Sequence, residues 1–417
     1  MSLLSRIWDK VKHSESVLYP TFQIDVAKIL DDNSRMGKPI VARKNYFEIT
    51  LTEQFLKDRR EYWNEYIPLT VFLTEFIYDK KRSAFPFVIG PDLLKSIEQL
   101  DGNESIRYTN TRVVGPTPYR GDNVALFSGL FRIKTRNWAK QTISLVESVA
   151  KAFDSSKLSG YLNVAEPLLN GIEGFLGMDG DTQFRIGQRN EYRDSATHSR
   201  EIFESGFWVM VKEDQSNVKK ENFWIKDGQL HYGTKKETIK PYRKSDYILY
   251  EINSLDIRND YETFDFHIHW ENAREAIIKK NIDQANSEFQ SLTVNLLRSH
   301  DIIDPQKNQL LMMYSGLFED MKSAFINKAS ISDVFTSLRS NKKALEAQGI
   351  KIDMGERVSA IATDFVNKSS SNFKKKNFVI DQQFIKEALE SSTLNQPELL
   401  NMDSFEIGAM NPTVDLL

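Results

Sequence analysis

The chain has 417 residues, of which 40% are hydrophobic and 27% charged, a composition typical of a globular protein large enough for more than one core. Its 55 basic and 58 acidic residues give a net charge of −3, so it lacks the positive charge of a general nucleic-acid-binding domain. It contains no cysteine, which excludes disulfide bonds, thiolate catalysis and cysteine-ligated metal centres.

Residues 1–19 form an N-terminal segment in which a short amphipathic helix is predicted. Leu4, Ile7 and Trp8 share its apolar face, which fits packing on the protein's own core as well as contact with a membrane or a partner. The segment lacks the uninterrupted apolar run of a secretory signal. Nowhere does the chain reach the roughly 20 apolar residues that span a bilayer. We therefore expect a soluble, cytoplasmic protein.

Residues 20–270 predict a β-rich domain, mostly antiparallel and built as a sandwich or open barrel. The pair Asp227-Gly228 predicts a two-residue hairpin turn, because both positions favour positive φ. Alternating or continuous apolar residues predict strands over 46–52, 69–78, 124–134, 207–212, 247–257 and 264–270.

A two-helix insertion is predicted over about 137–177. The glycine-rich stretch over 171–181, at the end of the insertion, is compatible with three local structures. Asp179 and Asp181 suit a calcium or magnesium loop, whereas Phe175 and Leu176 between glycines suit insertion into a membrane or contact with a partner. The third structure is a helix that ends at Gly177 in a left-handed cap, followed by a turn.

Basic residues concentrate where the strand 124–134 gives way to this insertion. Such a cluster predicts binding of phosphate or an acidic peptide, or else simply a solvated charged face. The cluster consists of Arg132, Lys134, Arg136 and Lys140, and further arginines follow at 185, 189 and 193.

A candidate metal site lies in the last predicted strand. Residues two apart on a strand share a face, so His267 and His269 would point the same way, with Asp265 beside them. The alternative is the polar face of an amphipathic strand, in which histidine needs no special role.

Residues 271–395 predict a bundle of four or five helices, followed by a tail over 396–417. Apolar residues at 278, 282, 285, 289, 292 and 296 recur at gaps of four and three, and predict a helix over 271–299. Asp304-Pro305 begins the next helix, so the two form an antiparallel hairpin. Either later helices cover the apolar faces of both helices, or one of these faces stays exposed for a partner or for self-association.

The sequence thus predicts an α+β fold with a β-rich domain and a C-terminal helical bundle. It contains no phosphate-binding loop, dinucleotide fingerprint or nucleophile elbow, and indicates no cofactor or small-molecule ligand. We expect a non-enzymatic protein-interaction or assembly protein with a protein partner or self-association. A membrane-acting effector, pore-forming or membrane-disrupting, is the first alternative. A metal-dependent hydrolase that uses His267 and His269 is the second.

Overall fold

The computed structural model describes residues 19–61, 63–88, 105–134, 182–193 and 202–325, which belong to one compact unit spanning 1–329. These residues form antiparallel sheets and three α-helices, which confirms the predicted mixture of both kinds of structure. Within the described ranges, no helix combines the length and apolar character needed to cross a bilayer.

The strands assemble into three sheets. They are β1 (Thr21–Gln23), β2 (Tyr46–Phe55), β3 (Arg60–Glu61), β4 (Asn64–Tyr78), β5 (Lys81–Val88), β6 (Ile106–Pro118), β7 (Val124–Lys134), β8 (Thr182–Tyr192), β9 (Gly206–Val211), β10 (Phe223–Lys226), β11 (Gln229–Tyr232), β12 (Lys240–Pro241) and β13 (Tyr247–Leu255). The first sheet has the order β1-β9-β13-β2-β6. The second has the order β3-β4-β7-β8, with β5 also paired to β4. The small sheet is β10-β11-β12.

The first sheet contributes to two apolar cores. Along β13, Ile248 and Tyr250 belong to the core shared with the second sheet, whereas Tyr247 and Leu249 belong to the core shared with the small sheet. Alternate residues of a strand point to opposite faces, so the first sheet is the middle layer. Phe72 of the second sheet contacts Tyr250 edge to face, with ring centroids 5.8 Å apart.

The strands predicted from alternation are confirmed, apart from the last. β7 has the predicted bounds, and β4 lies between β5 and β7 as expected of a strand that is apolar on both faces. The predicted hairpin turn is also confirmed, since Asp227 and Gly228 have φ of 52° and 67°. A similar turn that the sequence did not predict joins β4 to β5, where Asp79 and Lys80 have φ of 48° and 62°.

The strand predicted over 264–270 is wrong, because this segment begins the helix α1 (Asp265–Ile278). Phe266, Trp270, Ala273 and Ile277 are buried, and their spacing is that of one helix face. Ile268, which belongs to the apparent alternation, is 59% exposed. The helical period becomes visible only when residues beyond 270 are included.

The helix predicted over 271–299 is divided in two. After α1 the chain turns through Lys280, whose φ is 59°. α2 (Ile282–Arg298) then begins where the side chain of Asn281 accepts a hydrogen bond from the backbone N–H of Gln284. α3 (Asp304–Phe325) begins at the predicted Asp304-Pro305. α2 and α3 contact each other through Phe289 and Phe318, whose stacked rings are 4.3 Å apart.

Several predicted elements lie outside the described residues. They are the amphipathic helix before residue 19, the insertion over 137–177, the helices after 325 and the tail over 396–417.

Two glycines with positive φ provide a matched test of backbone packing. Gly115 has φ of 94°, and a Cβ there would lie 2.4 Å from the carbonyl oxygen of Phe47. Gly228 has φ of 67°, but its nearest neighbour, Thr52, would be 3.8 Å away. Gly228→Ala should lower the free energy of unfolding by about 1–2 kcal/mol, the cost of the left-handed conformation alone. Gly115→Ala should cost more, because β2 must also move. Urea denaturation of both variants measures the difference, and equal losses would contradict it.

Candidate interaction surfaces

The three sheets together, which we call the β body, have two distinct ends, because their strands run antiparallel and begin or end at the same two places. At the hairpin end (residues 57–61, 63–66, 132–134 and 182–185), β3 is followed by β4, β7 ends and β8 begins, with Tyr66 opposite Lys134 and Ile133 opposite Thr182. At the helical end (residues 41–45, 77–82, 116–122, 256–260 and 299–307), loops of the β body contact the helical segment through side-chain and backbone hydrogen bonds, including those of Tyr46 and Tyr78.

Trp63 is the outstanding residue of the hairpin end. It lies in the tight turn between β3 and β4, and its side chain is 95% exposed. The base of this hairpin is fixed, because the backbone N–H of Tyr66 donates to the carbonyl of Arg59 at 2.7 Å. The guanidinium of Arg132 lies 4.3 Å from the centre of the Tyr66 ring and donates to Gln183 at 2.5 Å. A large apolar side chain is thus held in solvent on an anchored turn.

The predicted anion site is only partly within the described residues. Arg132 is buried against Tyr66, and Lys134 is half-buried at the end of β7. Arg136 and Lys140 lie outside the described ranges. Arg185 forms ion pairs with Asp246 at 2.8 Å and Asp58 at 3.6 Å, and Arg189 and Arg193 both pair with Glu191. Arg185, Arg189 and Arg193 therefore serve as partners for carboxylates of the same protein.

A buried carboxylate links the first sheet to the small sheet. Glu53 is fully buried, and this burial raises its pKa. One of its oxygens accepts a hydrogen bond from the backbone N–H of Leu230 at 2.7 Å. Arg243 lies 3.6 Å from the other oxygen and donates to Ser105 and Tyr247 at 2.6 and 2.8 Å. The hydrogen bond from Leu230 holds β11 against β2, and Arg243 offsets part of the cost of burying the carboxylate.

The geometry does not bring His267 and His269 together. On a helix, residues two apart do not face each other. The Nδ1 atom of His267 lies 2.7 Å from the hydroxyl of Tyr314, and its Nε2 atom 3.4 Å from Glu271. The hydrogen bond with His267 lowers the pKa of Glu271. His269 instead lies 2.8 Å from Glu288 of α2. In the described part of the chain, no three histidine or carboxylate side chains are grouped to hold a metal, and Asp265 joins no such group.

Arg258 forms the centre of the contact between the β body and the helices. It is 2% exposed, and its guanidinium pairs with Asp260 through two hydrogen bonds of 2.7 and 2.8 Å. It also donates to the carbonyl oxygens of Pro116 and Asp301, at 2.8 and 3.3 Å. The ring of Phe264 lies 4.6 Å beneath it. One side chain therefore ties together the end of β6, the start of α1 and the loop before α3.

Two tyrosines of the β body complete this contact. The hydroxyl of Tyr46 donates to Gln306 at 2.6 Å and accepts from the backbone N–H of Ile303 at 2.9 Å. The hydroxyl of Tyr78 donates to Asp301 at 2.9 Å. Burial raises the pKa of all three titratable groups, Tyr46, Tyr78 and Asp301. These side chains thus fasten α3 to β2 and β4.

Sequence reasoning missed both Trp63 and this polar contact. The only sequence signal for Trp63 is that it belongs to an aromatic pair, Tyr62-Trp63, between charged residues. The only signal for the polar contact is the pair of opposite charges at Arg258 and Asp260. The predicted contact residues Leu4, Ile7, Trp8, Phe175 and Leu176, and the aspartates at 179 and 181, all lie outside the described ranges.

Comparisons of the chain with protein-family models, with curated proteins and with solved structures find no match.

Removal of the buried guanidinium tests its structural role. Arg258→Ala leaves Asp260 and two carbonyl oxygens without their donor, so it should lower the free energy of unfolding by about 3–5 kcal/mol. The control Lys279→Ala removes an exposed ion pair with Glu275 and should change it by less than about 1 kcal/mol. Urea denaturation gives both values. Similar losses in the two variants would show that the buried contact of Arg258 stabilises the protein no more than an exposed ion pair does.

Asp301 should give the protein a measurable pH dependence. Because its pKa is raised, the folded state binds a proton more readily than the unfolded chain, so the free energy of unfolding falls as the pH rises between the two pKa values. Asparagine cannot titrate, yet its amide oxygen still accepts from Tyr78. Asp301→Asn should therefore gain stability relative to wild type as the pH rises above about 4, the ordinary pKa of an aspartate.

Thermal melts of wild type and Asp301→Asn at a series of pH values from about 4 upward test this pH dependence. Asp304→Asn is the control, since it replaces an exposed carboxylate three residues away. A difference between Asp301→Asn and wild type that stays constant with pH would contradict it.

Proposed function

We propose that this chain is a non-enzymatic interaction or assembly protein, whose sandwich-like β body binds a protein partner through the hairpin end. The observation that carries this proposal is the 95% exposure of Trp63 on an anchored turn. Tryptophan is among the residues most enriched at the energetic centres of protein interfaces. A fixed hairpin also avoids the entropic cost of ordering a loop when the partner binds.

The charges around Trp63 favour a protein over a membrane. Between residues 57 and 65 the sequence contains three basic and three acidic residues, so the hairpin has no net charge. A membrane-binding segment normally carries an excess of lysine and arginine. A sequence of mixed charge around an aromatic residue is instead what a protein interface with a polar rim would require.

The helices support the assembly part of the proposal. Leu297 on α2 and Met312 on α3 are 50% and 55% exposed, although both lie in helices with well-buried opposite faces. These positions suit contacts with another helix, within the predicted bundle or from a second copy of the chain. That the helical bundle continues beyond residue 325 is part of this proposal.

The membrane-acting effector stays the alternative, because tryptophan also favours the interface of a bilayer. Leakage of dye-loaded vesicles distinguishes the two functions. The binding protein proposed here releases no dye, whereas release that Trp63→Ala abolishes would replace this proposal with the alternative.

Substitution of the exposed tryptophan tests the proposed function. Trp63→Ala should weaken partner binding by at least about 2 kcal/mol, roughly 30-fold, because it removes the anchor of the interface. The control Ile202→Ala removes another exposed apolar side chain of the β body, 45% exposed, and should leave binding unchanged. Cross-linked partners co-purified from the native host are quantified for wild type and both variants. Equal recovery with wild type and Trp63→Ala would refute the hairpin end as the binding surface.

A further inference from the structure

Four loops meet at the helical end of the β body, and hydrogen bonds connect them. The backbone N–H of Arg43 donates to the carbonyl of Tyr119 at 2.7 Å. The guanidinium of Arg120 donates to the carbonyl of His300 at 3.1 Å, and the imidazole of His300 lies 2.8 Å from Asp79. The loops over 41–45, 79–82, 119–122 and 299–301 therefore lie side by side.

These loops carry a set of cations that we call the basic rim, namely Arg43, Lys44, Lys80, Lys81 and Arg120. The first four are exposed, and Arg120 is half-exposed. Within the described residues, no carboxylate lies within ion-pair distance of Arg43, Lys44, Lys80 or Lys81. Their positive charge is directed into solvent without compensation from that part of the chain.

Four carboxylates near these loops have partners of their own. Asp79 pairs with His300, and Glu75 pairs with Arg82 at 3.1 Å. Asp122 accepts a hydrogen bond from the backbone N–H of Ile77 at 2.6 Å, and Asp301 accepts one from Tyr78. The four loops contain six lysines and arginines and three aspartates, so their formal charge is +3, although the whole chain has a net charge of −3.

We propose that the basic rim is a docking surface for a membrane rich in anionic lipids. Clusters of about four to eight lysines and arginines are the usual recognition element for such membranes. Val41 and Ile77, 41% and 37% exposed, place apolar side chains beside the cations and suit shallow contact with the lipid.

The composition of the rim favours lipid over an acidic protein. Lysine is depleted at the centres of protein interfaces, whereas aromatic residues are enriched there. Three of the five rim residues are lysine, and Tyr119, the aromatic residue of these loops, is 1% exposed. The hairpin over 57–65 shows the opposite composition, since Trp63 is exposed and the segment has as many acidic as basic residues. The two ends thus suit different partners, and this inference is independent of the proposed protein partner.

A charge-neutralised variant of the full chain tests the proposal. It combines Arg43→Asn, Lys44→Gln, Lys80→Asn and Lys81→Gln. Asparagine replaces the two residues with positive φ, 64° at Arg43 and 62° at Lys80, because it tolerates that conformation better than most residues. The control variant combines Lys219→Gln, Lys235→Gln, Lys236→Gln and Lys240→Gln, which removes four exposed lysines around the small sheet and changes the net charge equally.

Binding is measured by sedimentation with two kinds of vesicle, pure phosphatidylcholine and phosphatidylcholine containing about one quarter phosphatidylserine. Wild type and the control variant should bind the anionic vesicles and release them as salt concentration rises. The rim variant should bind about 600-fold more weakly, since each of the four cations it loses contributes about five-fold near an anionic surface. Matching circular dichroism and thermal melts confirm that both variants fold.

Three results would overturn the inference. One is equal binding of the rim variant and wild type, and another is equal loss in the control variant. The third is binding of wild type to poly-glutamate but not to anionic vesicles, which would assign the rim to an acidic protein instead.

Discussion

A buried guanidinium group determines how the two kinds of secondary structure are joined in this protein. Arg258 is almost completely withdrawn from water, so its charge must be matched by acceptors held in fixed positions. Those acceptors come from β6, from the loop before α3 and from Asp260 beside it. The helices cannot shift against the sheets without leaving a buried charge unpaired. A rigid connection of this kind allows the two ends of the β body to act as fixed, separate surfaces.

The two ends differ because strand direction separates them by the length of the sheets. Trp63 marks one end and the basic rim marks the other. The two surfaces differ in chemistry, since one has a single apolar anchor and the other has a cluster of positive charges. Together the two proposals describe a molecule that bridges a membrane surface and a protein partner, with the β body as the spacer between them.

The strands and turns could largely be predicted from the sequence, because side-chain alternation and turn chemistry are local. Asp227-Gly228 and Asp304-Pro305 each mark a boundary by their own backbone preferences. The segment over 264–270 could not be assigned correctly, since alternate apolar residues in so short a window fit both periods. The candidate surfaces were harder still. The exposure of Trp63 and the contact between Asp79 and His300 depend on residues distant in sequence, so the periodicity of apolar residues does not predict them.

The middle position of the first sheet has a consequence for how the β body loses its structure. Ile248, Tyr250 and Ile252 of β13 belong to one core and Tyr247 and Leu249 to the other, so neither core can lose its structure while that strand stays in place. Loss of structure in one core would displace the backbone of β13 and so disrupt the packing of the other core. We therefore expect the three layers to melt in a single cooperative transition, without a stage in which one layer persists alone.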